Sequence, residues 1–165
     1  DMLVEAAKLV LPKYPDWQWD LYGTGDTLDE IRKKIEEYGL EKQLILKGNV
    51  KDVYQVYGDY AFLVLPSYRE GLPLVLLEAK ALGLPMISFD ITTGPREIIN
   101  EGEDGYLIPP YHIEEMAAKI ETLIIDEKQR ILFSKNTEKG IEKFCKRRIY
   151  SEWEELIETL CGGEE

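Results

Sequence analysis

The chain has 165 residues, of which 44% are hydrophobic, with three Trp and ten Tyr, and its formal net charge is −12. These values argue against disorder and against an extended nucleic-acid-binding surface, and they predict one domain with a substantial core. The apolar runs are too short for a transmembrane segment and the N-terminus lacks a signal-like pattern, so we expect a cytoplasmic protein.

Apolar periodicity and turn residues predict alternating helices and strands over the first two thirds of the chain. A helix is predicted over 1–14. The predicted strands are 17–22, 43–47, 60–65, 86–89 and 106–108, and the helices between them are 28–39, 52–57, 73–83 and 96–100. From Ile113 the pattern is helical only, with further helices over 128–139 and 148–160, and 162–165 are expected to be disordered. Right-handed crossovers then give an α/β fold, a Rossmann-like doubly wound parallel sheet with C-terminal helices.

The most informative stretch joins the strand that ends at Leu65 to the helix that begins at Pro73. Pro suits a first helical position and Gly83 suits the position after the last one, so the two residues bound the helix. We predict that the strand is buried on both faces, because its residues are apolar without alternation. The helix residues predicted to pack on the sheet are Leu74, Leu77, Ala81 and Leu82.

Two carboxylates flank the start of this helix, Glu70 before it and Glu78 within it. The unpaired N–H groups of a helix start favour an anion such as phosphate, whereas carboxylates accept hydrogen bonds from sugar hydroxyls. The combination fits a ligand that is part phosphate and part polyol, such as a nucleotide sugar. The spacing is also explained by a solvated loop charge at Glu70 and an ordinary half-exposed residue at Glu78, and spacing alone does not decide between these interpretations.

Other candidate residues give weaker evidence of a functional site. The turn Gly23-Thr24-Gly25 is either a tight strand-to-helix connection or a loop that faces a ligand. Cys145, Cys161 and His112 lack the spacing of a metal site or a catalytic triad. We therefore expect two plain thiols and a surface histidine near a helix start.

Five motifs occur in order along the chain: Tyr22-Gly23-Thr24-Gly25, Leu46-Lys47-Gly48-Asn49-Val50, the stretch from Ser67 through Glu70-Gly71-Leu72-Pro73 to Glu78-Ala79, Gly94-Pro95-Arg96-Glu97-Ile98-Ile99, and 102–108. Together they resemble the donor domain of retaining glycosyltransferases of family four, whose fold is the two-domain GT-B type. The resemblance covers most of the chain.

The resemblance implies a role for each site residue. Glu70 is the catalytic candidate, near the transferred sugar, and Glu78 accepts hydrogen bonds from the ribose hydroxyls. The remaining residues of the implied nucleotide-sugar site are Gly71, Leu72, Leu74 and Val75, whose N–H groups meet the sugar and diphosphate, Asn49 and Val50 beside the base, and Gly23, Gly25 and Ser67.

The resemblance also implies the reaction. A hexose or N-acetylhexosamine moves with retention from a nucleoside diphosphate to an acceptor hydroxyl in glycan, polysaccharide or glycolipid synthesis. UDP is preferred as the nucleotide because it is frequent in the family, and neither a metal nor another cofactor is implied. Two alternatives stay open, a nucleotide-sugar epimerase of GT-B architecture and a non-catalytic sugar-nucleotide-binding or interaction domain.

In the resembled family, an Arg and a Lys for phosphate binding precede the first helix of the donor domain, and here the sequence starts at that helix. We therefore expect 1–161 to be a donor-binding domain truncated at its N-terminus, inactive by itself and without the domain that binds a glycan or lipid-linked acceptor. The full-length enzyme could also be membrane-peripheral. We further expect an unpaired strand edge or a gap in the sheet where a first strand belongs.

Overall fold

The computed structural model describes residues 2–161, which form eight α-helices and five strands. The strands are β1 Trp19–Tyr22, β2 Leu44–Gly48, β3 Leu63–Leu65, β4 Met86–Phe89 and β5 Gly105–Ile108. The helices are α1 Met2–Val10, α2 Leu28–Glu37, α3 Tyr54–Tyr57, α4 Leu74–Ala81, α5 Pro95–Ile98, α6 Ile113–Ile125, α7 Glu127–Asn136 and α8 Lys146–Cys161. Every predicted element is present, with shifts at the ends, while the predicted disorder of 162–165 lies outside the described residues. Among residues 2–161 no helix combines the length and apolar character that a membrane crossing requires.

The strands are parallel and form two sheets. In the first, β1 pairs with β2, with Trp19 opposite Leu44; in the second, β3, β4 and β5 pair in that order, with Met86 between Leu63 and Gly105. The α/β architecture with parallel strands and crossover helices is confirmed. The expected gap is also present, because β1 and β3 face each other without pairing.

A groove of about 470 Å³ separates β1 from β3, and we call it the β1–β3 groove. The two strands form its walls, and Val10 of α1 and Ile120 of α6 are among the residues that line it. Polar side chains bridge it near Tyr60: the Tyr60 hydroxyl donates to Asp20 at 2.7 Å and lies 2.6 Å from the Tyr22 hydroxyl. Desolvation and these hydrogen bonds raise the pKa of Tyr60, so its hydroxyl stays protonated.

Helices cover the sheets on both faces and create three apolar cores. The largest core lies between β4, β5 and helices α1, α6 and α7, and it includes Phe89 and Phe133. The second lies on the other face of β4, where Leu76 and Ala79 of α4 pack. The third joins α1, α2 and β2. Helix α1 thus contacts both the core beneath the second sheet and the core beside the first, which places it under the β1–β3 groove.

Helix α4 buries a different face from the one predicted. Leu74 is 64% exposed and Leu82 is 47% exposed, and Ala81 is also exposed, so the prediction that these three pack on the sheet is wrong. Leu77 does pack, half-buried, against the second core. Because most residues of this helix are apolar, their spacing did not define one face.

Two local predictions around α4 also need correction. Pro73 precedes the helix as its N-cap residue, with an extended ψ of 100°, and is not the first helical residue. Strand β3 is half-exposed, because one edge borders the β1–β3 groove, whereas β4 is buried along its whole length.

The buried residues of α4 include a charged one. Lys80 and Asp104 form an ion pair in which both side chains are fully buried. Asp104 also accepts hydrogen bonds from the backbone N–H and the side-chain amide of Asn100, each at 2.9 Å. This pair fastens α4 to the turn before β5, at the amino ends of the strands.

Candidate functional site

The loops that follow the carboxyl ends of the strands contact one another in pairs. The side-chain amide of Asn49, after β2, donates to the Thr24 hydroxyl, after β1, at 3.1 Å. The Thr93 hydroxyl, after β4, donates to the backbone carbonyl of Glu70, after β3, at 2.7 Å. Ligands of doubly wound sheets bind at this edge, so the paired loops define the candidate site.

Gly94 permits the close approach of the loops after β3 and β4. Its φ is +94°, and a Cβ atom built at this position would lie 2.5 Å from both the Gly71 carbonyl oxygen and Cδ of Pro73. A residue with a side chain could not occupy this place without moving the backbone that leads into α4. Arg96 donates two hydrogen bonds to the Asp90 carboxylate and so joins the end of the same loop to its beginning.

The start of α4 presents free backbone donors. Within residues 2–161, the N–H groups of Gly71, Leu72, Leu74 and Val75 have no hydrogen-bond acceptor. The half-buried Glu70 carboxylate likewise has no hydrogen bond or ion pair in the described part of the chain. Free N–H groups at a helix start, together with the helix dipole, favour binding of an anion.

Glu78 lies one helical turn further along α4 and accepts hydrogen bonds from two tyrosine hydroxyls of α3. The Tyr54 hydroxyl donates to Oε1 at 3.3 Å, and the Tyr57 hydroxyl donates to Oε2 at 3.1 Å. The charge of Glu78 and partial desolvation raise the pKa of Tyr54. Burial and the bond to Glu78 raise the pKa of Tyr57, so both hydroxyls remain donors at neutral pH.

The sequence analysis missed these tyrosines. Their only signal was the spacing of three residues on a short predicted helix, which places two side chains on one face. Nothing in the sequence indicated that this face meets α4.

The remaining predicted site residues lie around this edge but do not all meet. The Gly23 N–H donates to the Gly48 carbonyl at 2.9 Å, which holds the loop after β1 against the end of β2. Gly25 and Val50 are exposed, and Ser67 is half-buried after β3. A cavity of about 650 Å³ opens beside Asn49 and Val50. The structure therefore brings the loop of Gly23 together with that of Asn49, and Tyr54 and Tyr57 connect the segment after Val50 to α4.

Of the residues for which we expected no catalytic role, Cys145 and Cys161 border or belong to α8, whereas His112 lies in the loop after β5. Cys145 and Cys161 are free and exposed. His112 precedes α6 and is 3.5 Å from the Glu115 carboxylate. No group of three or more acidic, Cys or His side chains within residues 2–161 has the arrangement of a metal site.

Comparison with known proteins assigns the chain to a family. The model of the family "Glycosyl transferases group 1" matches residues 1–140. The chain belongs to this glycosyltransferase family. In sequence it is 34% identical over 160 residues to a poly(ribitol-phosphate) alpha-N-acetylglucosaminyltransferase of Staphylococcus aureus, covering 96% of this chain and 32% of that protein. It is also 35% identical over 161 residues to an exopolysaccharide phosphotransferase of Streptomyces coelicolor, covering 97% of this chain and 17% of that protein.

Two solved structures share the fold. A mutant of S. aureus TarM, in a complex that includes UDP, has a TM-score of 0.90 at 34% identity, covering 94% of this chain and 32% of that one. The pneumococcal O-GlcNAc transferase GtfA, in complex with UDP and GlcNAc, has a TM-score of 0.85 at 30% identity, covering 98% and 33%. The chain thus has the Rossmann-like architecture of one half of a GT-B fold. It spans a third or less of the length of the relatives named here.

Proposed function

We propose that the chain is the nucleotide-diphosphate-sugar-binding half of a retaining glycosyltransferase of family four, comprising residues 1–161. The observation that carries the proposal is the start of α4, where four free N–H groups lie between the carboxylates of Glu70 and Glu78. This arrangement suits a ligand that presents phosphate to the N–H groups and hydroxyls to the carboxylates.

The donor in this proposal is UDP carrying a hexose or N-acetylhexosamine. Two structures at 30% identity or more were determined with UDP, and one of them also contained GlcNAc, which supports this choice. The acceptor hydroxyl belongs to a glycan, polysaccharide or lipid-linked molecule bound by another part of the full-length enzyme.

In the proposed reaction the bond between the anomeric carbon and the diphosphate oxygen breaks, a bond to the acceptor oxygen forms on the same face, and the proton of the acceptor hydroxyl passes to the departing diphosphate. The departing diphosphate gains negative charge while the sugar becomes oxocarbenium-like. The N–H groups of Gly71, Leu72, Leu74 and Val75 stabilise the diphosphate, because preorganised donors aimed at developing charge lower the barrier. Glu70 lies beside the sugar, and Glu78 fixes the ribose.

Substitution of the two carboxylates tests these assignments in the full-length enzyme. Glu78→Gln should weaken UDP binding by about 1.5–3 kcal/mol with little change in melting temperature, because the charge-assisted bond is lost while the side-chain volume is kept. Glu70→Gln should lower kcat more than UDP affinity, because its partner is the reacting sugar. Calorimetry with UDP and initial rates with acceptor measure both effects.

Glu142→Gln, at an exposed glutamate before α8, is the control and should change neither quantity. Unfolding by Glu78→Gln without a change in UDP affinity of the folded fraction would show a structural carboxylate and refute the proposed site. Measuring UDP release with and without acceptor distinguishes transfer from epimerisation, because release depends on the acceptor for a transferase and not for an epimerase.

A further inference from the structure

The two tyrosines whose hydroxyls donate to Glu78 differ in burial, and this difference gives them different roles toward its carboxylate. We infer that Tyr57 is a positioning residue that fixes Glu78 for the ribose, and that Tyr54 is a placeholder whose hydroxyl the ribose displaces. The inference rests on the proposed function, because it takes a nucleotide ribose as the ligand of Glu78.

Tyr57 is built into the protein interior. Its side chain is 5% exposed and packs in the second core with Leu76 and Ala79 of α4. Its hydroxyl lies 3.1 Å from Oε2 of Glu78 and 3.4 Å from the Val75 carbonyl oxygen, so the nearer acceptor is the carboxylate. A donor on a packed ring restricts the rotamers of Glu78, which would otherwise turn freely at a half-exposed helix position.

Tyr54 lies one turn earlier on α3 and is 58% exposed. Its hydroxyl reaches Oε1 of Glu78 at the longer distance of 3.3 Å, and Tyr54 belongs to none of the three apolar cores. A ribose hydroxyl that takes this position leaves the number of hydrogen bonds on Oε1 unchanged. The Tyr54 ring can turn into solvent, so its displacement costs only a weak, exposed hydrogen bond.

The same chemical change at the two positions should therefore have opposite effects on UDP affinity. Tyr57→Phe keeps the buried ring but removes the hydroxyl that orients Glu78, and should weaken UDP binding about five- to tenfold. Tyr54→Phe removes the competing hydroxyl and should tighten UDP binding about twofold. Tyr150→Phe, at an exposed position of α8, is the matched control for loss of a hydroxyl and should leave affinity unchanged.

A second ligand separates positioning from a general structural role. The effect of Tyr57→Phe should disappear for 2′,3′-dideoxyuridine diphosphate, because this nucleotide has no ribose hydroxyl for Glu78 to hold. Calorimetry of the wild-type full-length enzyme and the three variants with both nucleotides, beside their melting temperatures, measures this dependence.

The possible results distinguish the inference from the function on which it rests. Opposite effects of the two substitutions, confined to the ribose-containing nucleotide, support it. If both substitutions act in one direction, or if Tyr57→Phe lowers the melting temperature alone, the inference is overturned while UDP binding and its loss in Glu78→Gln still support the proposed function. A wild-type enzyme that does not bind UDP would overturn both.

Discussion

Gly94 determines how closely the loop after β4 approaches the start of α4. Its positive φ and the 2.5 Å separation between a built Cβ and the Gly71 carbonyl oxygen are independent reasons for glycine at this position. The loop carries Thr93, which donates to the Glu70 backbone. The placement of the candidate catalytic glutamate thus depends on a residue that has no side chain.

Gly94→Ala should lower the free energy of unfolding by at least about 2 kcal/mol, since it adds a positive-φ penalty to a clash with backbone atoms. It should also weaken UDP binding, because relief of the clash moves Gly71. Thermal denaturation and calorimetry measure the two effects. Gly58→Ala is the control: its φ is −65° and its Cβ would meet open space, so this substitution should not lower stability and should raise it by up to about 1 kcal/mol. An unaltered melting temperature for Gly94→Ala would contradict this account.

At this scale the sequence could indicate some site residues and not others. Glu70 and Glu78 were predicted because they flank a helix start whose chemistry is local, and the motif resemblance gave them roles. Tyr54 and Tyr57 could not be predicted, because their hydrogen bonds to Glu78 arise from the placement of α3 beside α4, which no local pattern encodes.

Helix α4 joins two charged groups with opposite surroundings. Glu78 lies near the carboxyl edge of the sheet with two hydroxyl partners, whereas Lys80, two residues later, is buried against Asp104. A buried charge without its partner is costly, so this ion pair restricts α4 to one rotation about its axis. That rotation directs Glu78 toward α3.

Lys80→Met should lower the free energy of unfolding by about 3–5 kcal/mol, because Asp104 is left as a buried carboxylate whose one remaining partner among residues 2–161 is Asn100. Chemical denaturation measures the loss. Lys135→Met removes an exposed lysine of α7 and should change stability by less than about 0.5 kcal/mol. Equal effects of the two substitutions would show that burial of the Lys80 charge is unimportant.

The positions of the elements were predictable, but the orientation of α4 was not. Prolines, glycines and apolar runs mark where strands and helices begin and end, and these signals are local. The face that α4 buries depends on the ion pair between Lys80 and Asp104, and Asp104 lies in a turn that is distant in sequence. A lysine within an apolar run does not indicate that pairing.

In the whole molecule the two sheets are connected by helices and side chains. In a parallel strand, the backbone N–H and C=O groups of successive residues point alternately to the neighbouring strand on one side and on the other. The Trp19 N–H bonds to the Gln43 carbonyl and the Leu63 N–H bonds to the Pro85 carbonyl, so the N–H groups of Asp20 and Val64 face the β1–β3 groove. Both edges therefore offer backbone groups that no described strand pairs.

Hydrogen exchange of the 165-residue chain should reveal these edges. The amides of Asp20 and Val64 should exchange faster than those of Ile87 and Ser88, because β4 has a neighbour on each side. Exchange measured residue by residue by NMR tests this order. Equal protection would contradict it, and a dilution series would then show whether a second copy pairs with the edges.

The division of the sheet has a mechanical consequence for the candidate site. The loops with Gly23 and Asn49 follow strands of one sheet, while those with Glu70 and Gly94 follow strands of the other. The spacing between the two halves of the site is set by side-chain packing around α1 and by the Tyr60–Asp20 bridge, with no backbone ladder between β1 and β3. Within the 165-residue chain the site is therefore stiff within each half and compliant across the seam, where it can widen or narrow without breaking a pairing between described strands.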